Sequence, residues 1–301
     1  MTTAVPIPEP VAPLATNAFT PADWAIFMAV SGIWGASFLF IAVGLEALTP
    51  GVVTFLRVGL GAAALHLLPG PSIRVEPEDR LRLLGVSILW VAIPFTLFPI
   101  AEQHINSAVT GMLNGSTPVF TALFAVLLFG RRTTGPQLLG VAVGFVGIVL
   151  VSLPSLGEGS SEATGVGLVV LATVCYGVAL NLVAPLQARY GSRPVMARML
   201  ALATLWTLPL GVVGLPASEL ELRPLAAVAA LGVLGTGIAF LLMGFLVGRV
   251  GPTRSSFITY LVPVVALALG VLFQDDHVEA ISLAGVALVV GGALLASRRE
   301  R

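Results

Sequence analysis

The chain has 301 residues, of which 57% are hydrophobic and 10% charged, and a mean hydropathy of +1.00, a balance that excludes the surface of a soluble protein and points to many membrane crossings. Fifteen basic and fifteen acidic residues cancel, and every basic one is Arg, so no basic tail suggests nucleic acid and no acidic tract suggests a scaffold. The lone Cys175 sits in an apolar run, which excludes an intrachain disulfide and a cysteine metal cluster and leaves a small packing residue.

In chain order, residues 1–21 carry five prolines and one charge, Glu9, with no apolar period, and read as a disordered tail. No Arg precedes Trp24, so the start lacks the basic segment of a secretory signal. Apolar stretches of spanning length follow at Trp24–Leu45, Gly51–Leu68, Leu83–Ala101, Ile105–Phe129 and Pro136–Leu153, then at Gly165–Gln187, Pro194–Leu215, Leu225–Val247, Thr253–Phe273 and Ala280–Ala296. The expectation is therefore an all-α integral membrane protein of ten transmembrane helices. The polar, Gly- and Ser-rich segment 154–164 divides it into a first five-helix repeat, 22–153, and a second, 165–297, with 298–301 as a tail. Closed barrels would instead show alternating segments of about 10 residues.

The halves repeat. An offset of 145 residues lays Pro118 on Pro263, Phe95 on Phe240, Gly140-Val141-Ala142 on Gly285-Val286-Ala287 and Gly147 on Gly292, while Arg131 falls on the oppositely charged Asp276. Five helices per half is odd, so the second half enters the membrane upside down, an inverted repeat. Counting Arg by loop predicts both termini in the cytoplasm, since twelve of thirteen loop arginines then fall on that side and only Arg223 lies outside.

The residues Trp34-Gly35-Ala36-Ser37-Phe38, Phe55-Leu56-Arg57, Pro118 and Gly140-Val141-Ala142-Val143-Gly144 are echoed in the second half by Tyr176-Gly177, Arg198 and Pro263. In this order the chain resembles the drug/metabolite transporter superfamily, and within it the ten-helix EamA-type transporters, from about Trp24 to Ala296. The resemblance implies export of amino acids or similar small metabolites across a bacterial-type cytoplasmic membrane by alternating access. One departure stands out: such proteins often carry Gly-Glu after the fourth and ninth helices, where this chain reads Gly130-Arg131 and Asp275-Asp276, so a role tied to that Glu does not carry over.

Charge inside a spanning helix is costly and is turned toward a cavity or a partner. Arg57 and Arg198 therefore stand as mirrored guanidinium groups for an anionic substrate group or for two gates, against the plainer account of snorkelling side chains. Trp34, Ser37, Phe38 and Asn114 from the first half, with Tyr176, Asn181 and Thr259 from the second, are candidates for a midplane substrate pocket; Asn in hydrocarbon needs an interior partner. Pro118 and Pro263 remove backbone donors and mark kinks or gates. Gly111-x-x-x-Gly115, Gly140-x-x-x-Gly144 and Gly244-x-x-x-Gly248 allow close helix approach. No metalloprotease, nucleophile-elbow or phosphate-loop motif occurs, so neither an enzyme, a metal nor a cofactor is expected. No Asp or Glu lies clear of the helix ends, Glu102 being nearest, which disfavours proton coupling through a buried acid. A receptor or scaffold is the rival reading, and it gives no reason for mirrored prolines and arginines. The expected partners are a small-molecule substrate and the lipid bilayer, and internal duplication favours a monomer.

Overall fold

The computed structural model describes residues 20–67, 74–130, 135–250, 255 and 258–296. Apart from Thr20 and Pro21, the tail expected over 1–21 lies outside the described residues, as do the tail 298–301 and Arg131. The described chain is all helical, with ten apolar helices, two of which, α9 and α10, are shorter than the rest. Helix α1 is Pro21–Leu45, α2 is Pro50–Leu67, and α3 runs through Pro77–Val86, a π-helical turn Ser87–Ala92, and Ile93–Ala101. Helix α4 comprises Ser107–Asn114 and Thr117–Leu127, and α5 is Gly135–Glu158. The second half follows as α6, Ser160–Tyr190; α7, Ser192–Gly214; α8, made of Leu222–Ala230, a π-helical Leu231–Ile238 and Ala239–Val250; α9, Ile258–Phe273; and α10, Ala280–Ala296.

Local chemistry explains the boundaries. The first helix starts earlier than its apolar run because Thr20 and Asp23 form a reciprocal capping box: the Asp23 amide donates to Thr20 Oγ1 at 3.3 Å and the Thr20 amide donates to Asp23 Oδ2 at 3.0 Å. Segment 154–164, expected as a loop, is helical up to Glu158 and again from Ser160, with Gly159 at φ +153° as the break. Polarity moves a helix out of the membrane without melting it, and only glycine adopts that backbone readily. In α3, Pro94 has no amide proton for the Trp90 carbonyl, which favours the wider turn immediately before it.

The contacts between halves come in matched pairs, as a two-fold pseudosymmetry requires. Helix α1 packs on α9 as α6 packs on α4, and α2 packs on the π segment of α8 as α7 packs on that of α3. On the axis itself lie α2 against α7 and α5 against α10. The last pair meets through the repeated glycines: a Cβ on Gly147 would lie 2.6 Å from the Val289 amide, and one on Gly285 would lie 2.7 Å from the Val151 amide, so only hydrogen fits. The two π-helical segments are likewise related, because the 145-residue offset carries Ser87–Ala92 into Leu231–Ile238.

Candidate functional site

At the seam between the halves lies a charged, aromatic interior. Arg57 projects from α2 and is only 6% exposed. Its guanidinium stacks 3.7 Å above the Phe95 ring of α3, and its Nε donates to Thr236 Oγ1 of α8 at 3.2 Å. Thr236 occupies the π segment, whose irregular backbone also frees the Gly235 carbonyl to accept from Trp34 Nε1 at 3.1 Å. Both hydrogen bonds join the first half to the second.

Aromatic side chains extend this centre in two directions. Trp34 and Trp90 meet Phe240 edge to face at 5.8 and 5.7 Å between ring centroids. Phe38 meets Phe98 at 5.7 Å, and Phe98 in turn lies 5.8 Å from Tyr176. Trp34 and Tyr176 bridge the two large hydrophobic clusters of the protein. Their neighbouring glycines make related contacts, although the 145-residue offset sets Ala179 opposite Trp34: Gly35 packs on Val265, and Gly177 packs on Phe120, which that offset aligns with Val265.

The remaining candidates separate by environment. Ser37 is buried on the α1 face toward Gly235, and its hydroxyl donates to the Ile33 carbonyl at 3.2 Å. Asn181 acts as a brace, its Nδ2 donating to the Thr121 carbonyl of α4 at 3.1 Å and to the Gly177 carbonyl at 2.9 Å. Asn114 Oδ1 is buried and accepts from no donor among the described residues, beside the break at Gly115-Ser116 that splits α4. Thr259 is half-buried in the first turn of α9. Pro118 sits in the first turn of the second piece of α4, whereas Pro263 lies within an unbroken α9 and packs where Gly115 lacks a side chain. Arg198 is half-buried and makes no hydrogen bond or ion pair among the described residues. The expected arginine mirror thus departs from symmetry, since the 145-residue offset sets Leu202 opposite Arg57.

Polar links between halves close both ends. At the end where α1 begins, Asp23 pairs with Arg249, Arg189 binds Asp79 at 2.8 Å and Glu78 at 3.0 Å, and Tyr190 donates to Asp79 at 2.9 Å. At the opposite end, Asp276 Oδ2 accepts from Ser107 Oγ at 2.8 Å and from the Ala108 amide at 2.9 Å, capping α4. Thr49 donates its amide to Ser218 Oγ there at 2.9 Å.

Sequence reasoning named Trp34, Phe38, Arg57 and Tyr176, which the fold gathers, and treated Phe95 and Phe240 only as repeat markers. It did not single out Phe98, Trp90 or Thr236; for Thr236 the signal was its place in the Gly-rich LGVLGTGI run of α8. Glu102 was set aside as a helix-end residue. In the structure it lies in the short link between α3 and α4, and both its carboxylate oxygens are buried without a hydrogen-bond partner among the described residues. Burial, with the negative charge of Asp276, holds this carboxyl well above the usual carboxylate range, and Arg57 opposes the shift.

Ten apolar helices in two inverted halves, meeting around a buried cation with polar links at both ends, define a membrane transporter of the inverted-repeat class. The model of the EamA-like transporter family matches residues 23–153 and again 163–298, and the chain belongs to that family. A probable terminal-alkyne amino-acid exporter of Streptantibioticus cattleyicolor is 30% identical, over 92% of this chain and 94% of its own length. A probable amino-acid metabolite efflux pump of Escherichia coli is 24% identical, over 90% and 93%, and the inner membrane transporter YedA of that species is 26% identical, over 87% and 86%. Among solved structures, one crystal structure superposes with a TM-score of 0.66 at 21% identity, covering 92% of this chain and 97% of that one.

Proposed function

We propose that this transporter exports amino acids or similar small metabolites from the cytoplasm by alternating access, working as a single chain with both termini in the cytoplasm. The roles of the two exporter relatives support the substrate class, and the arginine distribution supports the orientation. Duplication supplies both halves of a pocket within one chain, so no second copy is required.

The observation that carries the reading is the setting of Arg57. One guanidinium nitrogen is held by Thr236 of the opposite half, and the two terminal nitrogens have no acceptor among the described residues. A substrate carboxylate docking there competes with the link that joins the halves, which ties occupancy to their movement. The pairs Asp23–Arg249 and Asp79–Arg189 then form the cytoplasmic gate, and Asp276 on the α4 N-terminus forms the outer one.

The test is mass spectrometry of the medium around cells expressing this chain or its Arg57→Ala form at matched membrane levels. A small set of metabolites should accumulate outside with the unmodified chain. Loss of a charge-assisted contact worth about 1.5–3 kcal/mol should lower that accumulation by roughly tenfold or more in the variant. Media indistinguishable from an empty-vector control would end the export reading.

A further inference from the structure

Glu102 buries its carboxyl oxygens outside the centre formed around Arg57. Phe95, Phe98 and Glu102 follow at i, i+3 and i+7, so they share one face across the end of α3. Phe95 lies under the Arg57 guanidinium and Phe98 touches Phe38 and Tyr176. Glu102 therefore continues the interior face that holds the cation, about 10 Å further along at 1.5 Å per residue. It also lines a cavity of about 340 Å³ at the acidic end, together with His104, Asn106 and Glu162. Its oxygens are nevertheless buried and meet no donor among the described residues. A carboxylate in that position needs a counter-charge or a proton.

Building on the export reading, we propose that Glu102 is the exchange site of the transport cycle, holding either a proton taken from the outer cavity or the protonated amino group of the substrate, never both. The balance is one proton for one amine: the neutral acid gives up its proton to the cytoplasm as the ammonium group binds, and on the outer side a proton reforms the acid and releases the amine. Export is then driven by the inward proton gradient. The groups that face Glu102 bias but do not occupy it. Arg57 of α2 favours the carboxylate, and Asp276 disfavours it while its own oxygen is engaged on α4. His104, held to Ser161 at 2.8 Å, and Glu162 share the cavity wall with it.

Two measurements test this. In cells, the outward accumulation ratio of the exported metabolites should change about tenfold per unit of external pH for a one-for-one exchange and should collapse with a protonophore. Glu102→Gln should abolish that response together with concentrative export, and Glu102→Asp should keep part of both. A Glu102→Gln transporter with the unmodified pH response, or an unmodified one with none, overturns the proposal. The second measurement needs neither a variant nor a substrate: unmodified protein in membranes is treated with dicyclohexylcarbodiimide, which attacks protonated acids in apolar surroundings, and mapped by peptide mass spectrometry. Modification should fall on Glu102 and fade as pH rises; none at Glu102 across the range overturns the proposal. Labelling at Glu102 without any metabolite efflux would leave the proton site standing and remove the export reading instead.

Discussion

A buried guanidinium is tolerated at Arg57 because two features offset its desolvation: the π face of Phe95 and the hydroxyl of Thr236. Arg57→Lys keeps the charge but loses the planar stack, so transport should fall nearly as far as with alanine, measured by the same efflux assay. Asn181 belongs to a different category, although both were read as substrate contacts. Its amide bridges two helix carbonyls, so Asn181→Ala should lower stability by about 1–2 kcal/mol in a detergent thermal melt while matched folded protein still transports. Sequence alone does not separate these cases, because an Asn in an apolar helix needs a partner whether that partner is substrate or backbone.

Among the elements, the fourth helix of each half shows how far the repeat governs local geometry. Gly130 has φ +61°, and the residue 145 positions later, Asp275, has φ +53° in the same left-handed conformation after α9. Glycine takes that shape without penalty and aspartate does not, so Asp275→Gly should raise stability by about 0.5–1 kcal/mol, again read in a thermal melt. The neighbouring Asp276 shows why the sign reversal against Arg131 matters: its carboxylate caps α4 from the other half. At the α5–α10 seam no such latitude exists. Gly147→Leu should abolish accumulation of folded transporter on a membrane immunoblot, since a side chain there meets backbone rather than a movable group.

For the whole molecule, the polar links fall at the two ends and the charged aromatic centre between them, which is the arrangement that alternating access requires. Breaking one end should bias the transporter toward opening there. Asp79→Arg should disable transport by setting like charges against Arg189, and the double form with Arg189→Asp should restore a substantial part, measured as efflux at matched expression.

Hydropathy, arginine placement and the 145-residue repeat by themselves determined the helix number, the two halves and the glycines at their seam, because lipid forces helical backbone and allows few residue types where helices touch. They also marked Trp34, Phe38, Arg57 and Tyr176, whose polarity or size is conspicuous in an apolar run. Only the tertiary structure decided that Arg57 rests on Phe95, that Asn181 is a brace, and that Glu102 turns its carboxylate inward. Those outcomes depend on which helix faces which across the pseudo-two-fold axis and on π-helical turns that shift the facing side chains. A residue one position past an apolar stretch reads as solvated in one dimension, whereas a short link between two packed helices can seal it inside.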